Sequence, residues 1–219
     1  MGDYTLIIEL DQDVIRNQST DNLCIAKKVN DAYTVIFAAG SVVPTNPDTI
    51  QQMTNSTTFS WRDKYRVYYA AQYSAGMMVS SSTNHQEIKF GQTVTYTPQT
   101  GMEPATGEAN DSGQFVVTGS PGGQYRVAVE VESGSSWVPI FVDPESHGGD
   151  PTTTLTPKED YALYWSNTTE TNSMIATTLT PSYSFSYAPG QDSTTLRYGY
   201  KIPDHPGPGE QFGWYQPTP

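Results

Sequence analysis

The chain has 219 residues, a formal net charge of −12, moderate apolar content and one cysteine, which suits one large or two small globular domains able to bury a core. Its acidity argues against nucleic acid and anionic membrane surfaces, both of which draw affinity from Lys and Arg. Cys24 alone permits no internal disulfide, no apolar run reaches the length of a bilayer span, and residues 1–13 lack the basic start and apolar stretch of a secretory leader, so a cytoplasmic protein without a transmembrane segment is expected.

Taken in order, the chain alternates short β patterns with turn residues. Residues 4–10 are rich in β-branched and aromatic types, and the polar connection from Asp11 to Asn22 has room for one helical turn. Residues 23–29 and 33–38 flank Asn30-Asp31-Ala32, which is hairpin spacing with turn chemistry. Their alternation puts Leu23, Ile25 and Val29 on one face and Cys24 on the other, expected to be the less buried one. An irregular polar insertion over residues 44–58 follows, with a shorter counterpart over 143–154; loops carry function more often than strands do. Strands over 65–71, 77–82, 87–90 and 93–96 complete a first unit. Residues 97–112 hold Pro98, Gly101, Pro104 and Gly107 with Met102 as their one large apolar side chain, and read as a linker that stays out of any core. Strands over 114–118, 125–132, 137–142, 161–165, 174–178, 183–187 and 194–200 make a second unit.

The two units resemble each other. Residues 59–82 match 155–178 without a gap: Tyr65 falls on Tyr161, Tyr68 on Tyr164 and Met78 on Met174, each 96 residues apart, with Asp63 on Glu159 and Tyr69 on Trp165 between them. With small shifts in loop length, Leu23, Ile25, Ala26 and Val29 correspond to Tyr125, Val127, Ala128 and Val131. Ile36 and Phe37 correspond to Ile140 and Phe141, and Thr93, Val94 and Tyr96 to Thr195, Leu196 and Tyr198. The expected architecture is all-β: two tandem sandwich-like antiparallel units, residues 1–98 and 112–202, related by internal duplication. Residues 203–219 form a Pro- and Gly-rich tail whose Phe212, Trp214 and Tyr215 are expected to dock on the body or on a partner chain.

The search for chemistry is mostly negative. His85, His147 and His205 stand alone, with no second ligand at zinc spacing and no Gly-x-Ser-x-Gly or phosphate-cradling loop. Asp11 with Asp13, or Asp143, Glu145 and Asp150, offer carboxylates for calcium without EF-hand spacing. No cofactor and no catalytic residue are expected. The chain is instead rich in Tyr, with 15, and in Ser, Thr, Asn and Gln. Sugar recognition needs that mixture, because one face of a pyranose stacks on an aromatic ring while its hydroxyls need polar partners. Aromatics that recur in both units read as sheet packing. Those that break the repeat point to a site: Trp61 faces Pro157, Trp214 and Tyr215 have no counterpart, and His147 sits in an unmatched loop.

The segments Asp3-Tyr4-Thr5-Leu6-Ile7, Leu23-Cys24-Ile25-Ala26-Lys27-Lys28-Val29-Asn30 and Glu87-Ile88-Lys89-Phe90-Gly91-Gln92 resemble small cytoplasmic fruiting-body proteins of mushroom-forming fungi, some of them defensive lectins. That resemblance covers about half of the chain and implies a β-sandwich-type lectin in a fungal setting. The sequence thus predicts a non-catalytic, multivalent carbohydrate-binding protein, acting on glycans or glycoproteins, as a homodimer. Trp61 or Trp214 stacks on the sugar; Asn84, His85 and Gln86 supply hydrogen bonds, with His147 and Tyr215 as further contacts. Two alternatives stand beside it: a structural or protein-binding module using Tyr68 and Tyr164 as exposed interface aromatics, and a glycan-acting hydrolase or calcium-binding protein.

Overall fold

The computed structural model describes residues 2–17, 21–145, 147, 151–176 and 183–216. In chain order these form β1 (Asp3–Leu10), the short helix α1 (Gln12–Asn17), β2 (Asn22–Val29), β3 (Ile36–Ser41), β4 (Gln51–Gln52), β5 (Ser56–Ala70), β6 (Gln86–Ile88), β7 (Thr93–Thr97) and β8 (Gly101–Met102). The second half adds β9 (Phe115–Thr118), β10 (Arg126–Ser133), β11 (Ser136–Val142), β12 (Thr152–Leu155), β13 (Pro157–Ser166), β14 (Tyr183–Ser186), β15 (Ser193–Gly199) and β16 (Gly213–Tyr215). The fold is nearly all β, as expected, but its sheets are mixed, because β1 runs parallel to β15 and β7 parallel to β9. Residues 77–82, expected as a strand, make only isolated bridges.

Three sheets result. One runs β11-β10-β5-β1-β15-β16 with β6 also on β5, a second β14-β13-β2-β3-β4, and a third β12-β9-β7-β8. The long β5 shows why the sequence folds this way. Thr57, Phe59, Trp61, Asp63, Tyr65 and Val67 point inward and alternate with exposed or half-buried Thr58, Ser60, Arg62, Lys64 and Arg66, the two-residue period of a strand with one wet face. The inward set joins Leu6, Ile8, Leu23, Ile25, Val127, Val129, Leu163 and Leu196 in the main core.

β2 is buried on both faces. Its second face corrects the expectation for Cys24, which is fully buried with Ala26, Ile36, Ala39, Ile50 and Tyr164 in a smaller core. Tyr68 is likewise buried, beside Val35, Ala128 and Val142, so neither it nor Tyr164 is an exposed interface aromatic. Met102, expected in a linker outside the core, is buried and pairs with Tyr96.

The pairing pattern repeats within the chain. Ile7, Ile8 and Glu9 face Thr195, Leu196 and Arg197, as Val116, Val117 and Thr118 face Thr93, Val94 and Thr95. Leu6 to Glu9 pair with Phe59 to Ser56, and Phe115 to Thr118 pair with Leu155 to Thr152, so β5 and β12 stay 96 residues apart. Tyr65 lies on Val131 and Tyr161 on Lys27. The bulge at Ile25/Ala26 in the β2–β3 ladder has its equal at Val129/Glu130 in β10–β11. β6 on β5 matches β14 on β13, and β8 on β7 matches β16 on β15. Among the described residues only the short β3–β4 ladder has no counterpart.

These ladders shift part of the sequence alignment. Leu23 corresponds to Val127 rather than Tyr125, Ile36 to Pro139 rather than Ile140, and Trp214 does have a counterpart, Met102. They also cross the expected boundary at residues 97–112, since β1 pairs with β15, β2 with β13, β5 with β10 and β7 with β9.

Candidate functional site

A groove of about 460 Å³ lies where the polar insertion meets β5 and the β10–β11 turn. Its apolar lining is Phe37, Ile50, Phe59 and Trp61, and its polar lining includes Asp48, Thr49, Gln51, Thr58, Ser60 and Ser133. The strand alternation explains the mixture: Phe59 and Trp61 point into the body, whereas Thr58 and Ser60 stay exposed on the same stretch. The insertion is held as a wall. Asn46 and Thr49 donate to Glu170, Gln51 donates through Nε2 to the Thr58 carbonyl at 3.2 Å, and Ser133 donates to the Ser60 carbonyl at 3.1 Å. The volume lies within the range of about 300–1,000 Å³ usual for small-ligand clefts.

Trp61 contributes bulk rather than an open face. It is 3% exposed, its indole N–H donates to Tyr161 OH at 2.9 Å, and it meets Phe37 edge-on with ring centres 5.2 Å apart. Below it sits a polar network that sequence reasoning missed. Lys27, fully buried, donates from Nζ to both oxygens of Glu159 and to Tyr161 OH, each at 2.8 Å, and lies 3.4 Å from Asp63. Tyr65 donates to Asp63 at 2.7 Å and Tyr161 to Glu159 at 2.6 Å. Asp63 and Glu159 are 96 residues apart, as are Tyr65 and Tyr161, so matching positions of the two halves meet around one lysine. Burial pushes the Glu159 carboxyl above the ordinary carboxylate range although Lys27 pulls it down, and it pushes the Tyr65 and Tyr161 hydroxyls well up. The recurrence of the acidic pair in the repeat was the signal that could have found this network.

The remaining predicted residues lie in three other places. Asn84 braces β8 by donating to the Met102 carbonyl at 2.7 Å and accepting from its N–H at 2.8 Å. Gln86 pairs with Val67, six residues along β5 from Trp61, or about 20 Å at strand rise. Asn84, His85 and Gln86 therefore do not share a site with Trp61. His85 stacks on Tyr68 at 4.3 Å between ring centres, with Nδ1 2.9 Å from Glu130 Oε2 and Nε2 2.8 Å from Ser81 Oγ.

His147 lines a second groove of about 340 Å³ with Asn30, Phe141, Asp143, Glu145 and residues 152–154, its Nε2 2.8 Å from Asp143 Oδ2. Trp214 and Tyr215 lie on β16, docked on the body as expected of the tail. Trp214 is half-buried against Tyr183, Tyr198 and Trp165, and Tyr215 covers the Arg197 guanidinium at 5.0 Å. The indole nitrogens of Trp165 and Trp214 are buried with no hydrogen-bond partner among the described residues.

Among the described residues no three His, Cys, Asp or Glu side chains are grouped to hold a metal. Asp11 is instead structural: it takes Arg197 Nη1 at 2.7 Å and the Tyr200 N–H at 2.8 Å. Asp150 lies outside the described residues.

Comparison with known proteins brings no match. No family model, no curated protein and no solved structure is similar to this chain. No described helix is long and apolar enough to cross a membrane.

Proposed function

We propose that the protein is a non-catalytic carbohydrate-binding protein, a lectin, whose first site is the groove beside the 44–58 insertion. One observation carries this reading: an apolar floor of Phe37, Phe59 and Trp61 lies under a rim of exposed Asp48, Gln51, Thr58 and Ser60. A sugar ring needs both an apolar surface and convergent polar groups, and few polar groups over an apolar base is the usual make-up of a ligand cleft. Trp61 shapes the floor from beneath. Cytoplasmic residence and a defensive role belong to the same proposal as what the resemblance of the three quoted segments implies, and multivalency through the two units or a homodimer belongs to it because a single shallow site binds weakly. The test is a glycan array with labelled wild-type protein and Thr58→Trp, whose indole fills the groove from an exposed position. A coherent set of bound glycans lost in Thr58→Trp is expected; a blank array from folded wild type would sink the reading.

The tandem units, residues 1–98 and 112–202 with the 203–219 tail, are proposed with it. Six matched pairs of ladders support a duplication in which each half lends strands to the sheets of the other.

A second reading, hydrolysis, is favoured by one specific arrangement. Ser81, His85 and Glu130 stand in the order of a hydroxyl–imidazole–carboxylate relay, in which the acid orients the imidazole and the imidazole takes the nucleophile's proton. Two contacts work against it: Ser81 directs its own proton to the Thr83 carbonyl at 2.9 Å, and Arg66 donates twice to the same Glu130 oxygen. Labelling of Ser81 by a fluorophosphonate, read by mass spectrometry, decides the matter; an unlabelled Ser81 removes this reading.

A further inference from the structure

We infer that the second groove, at Asn30, Asp143, Glu145 and His147, is a second carbohydrate site, so that one chain carries two related but unequal sites. The inference rests on the carbohydrate reading of the first groove.

The two grooves occupy matching places in the repeated ladders. Thr58 lines the first and Thr154 the second, 96 residues apart and paired with Ile7 and Val116 at equivalent points of β1 and β9. Ala38 and Phe141 are matched through their partners Ile25 and Val129, just before the shared bulge. Gly134 and Asn30 are the turn residues of the two equivalent hairpins, and both are left-handed, with φ of 60° and 54°. Each turn is tied to the same point of its neighbour: Ser133 donates to the Ser60 carbonyl at 3.1 Å, and the Asn30 N–H donates to the Thr156 carbonyl at 2.9 Å. In each half a loop runs from the end of the matched strand, β3 or β11, and forms one wall, with residues 47–51 in the first and residues 143–145 and 147 in the second. A groove recurring with its turn, its threonine and its loop is a built feature of the fold.

The linings have diverged in a way that sets the chemistry. Phe37, Phe59 and Trp61 of the first floor stand where the second half has Ile140, Leu155 and Pro157, and the second lining keeps one phenyl ring, Phe141, where the first has Ala38. In exchange the second groove has a polar rim fixed from within. Asp143, 7% exposed, accepts the Glu145 N–H at 2.9 Å through Oδ1 and holds His147 at 2.8 Å through Oδ2. Such a rim recognises sugar hydroxyls by hydrogen bonds. Two weak sites on one chain raise avidity for a multi-antennary surface without any new contact.

The test uses fluorescent full-length protein and rabbit erythrocytes, whose surface glycans are the probe. Thr58 and Thr154 are both exposed, and Thr58→Trp and Thr154→Trp fill one groove each. Gln51→Ala and His147→Ala serve as smaller changes should a tryptophan disturb the fold. Each single variant is expected to keep binding with an apparent affinity about tenfold weaker, and the double variant to lose it. If Thr58→Trp alone loses as much as the double variant, the second site is refuted while the first stands. If folded wild type does not bind the cells, the carbohydrate reading falls, and the second site with it.

Discussion

At the scale of single residues, the buried Lys27 is the most consequential. It bridges two carboxylates, Asp63 and Glu159, at 3.4 Å and 2.8 Å. Removing one partner of a buried ionic group strands the others, at a cost of about 3–5 kcal/mol. Lys27→Ala is therefore expected to lower the urea unfolding free energy by about that amount, and Lys27→Ala with Glu159→Gln to recover part of it. The sign of the pH effect follows from Glu159. Burial raises its folded value above the ordinary 4.5, so the folded protein holds this proton to higher pH than the unfolded chain does. The contribution to stability is complete below 4.5 and is lost as pH rises through the folded value. Glu159→Gln should flatten the fall of the urea midpoint above pH 4.5; an unchanged slope would assign it to other groups. Cys24 gives a simpler expectation. Its thiol is pushed up to about 12 by burial, so Ellman's reagent should react only after unfolding, whereas reaction in native protein would contradict its burial.

The sequence showed the faces of strands at this scale but not their depth. Trp61 broke the repeat against Pro157 and so looked like a ligand residue, yet a position on an inward face of β5 buries it whatever its counterpart is. Lys27 gave no signal of its own, because a lysine in a strand ordinarily reads as solvated.

At the scale of elements, the tail shows how a Pro- and Gly-rich segment becomes ordered. Asp11 holds Arg197 and the Tyr200 and Asp204 N–H groups, Glu210 holds the Lys201 and Gly207 N–H groups, and β16 then reaches β15. Trp214→Ala is expected to cost about 2 kcal/mol, below the range for a fully buried tryptophan because the ring is only partly buried. A melting temperature equal to wild type would show that β16 adds nothing.

Docking of the tail was legible from its aromatics; the strand it joins was not. The same limit explains the alignment. Tyr65 with Tyr161 was found because the bulk of both faces recurs. Leu23 was set against Tyr125 instead of Val127 because a two-residue slip keeps every side chain on its face. The one-residue error at Ile36 sits at a bulge, which breaks that period.

At the scale of the whole molecule, the pairing of β1 with β15, β2 with β13, β5 with β10 and β7 with β9 ties each half to the other. Residues 1–98 alone would leave those strands with unpaired edges, so the isolated fragment is expected not to fold, and the full chain to unfold in one transition. Two separate transitions by circular dichroism would contradict this. The all-β class could be read from alternation and turn residues. The exchange of strands between the halves could not, because a strand's sequence records which face is buried and not which neighbour supplies the ladder. For the same reason the predicted site residues fell into four places: Trp61, His147, Trp214 and Tyr215 were chosen as departures from the repeat, and Asn84, His85 and Gln86 for their hydrogen-bonding groups, properties that carry no distance.

The proposed sugar site is the groove between the 44–58 insertion and β5. Hydrogen–deuterium exchange, with and without a glycan selected on the array, tests it most directly. Slower exchange is expected at backbone amides of residues 47–51 and 58–61, the walls of that groove. Protection confined to residues 81–86, beside His85 and Ser81, or unchanged exchange at both groove walls while glycan is bound, would contradict it.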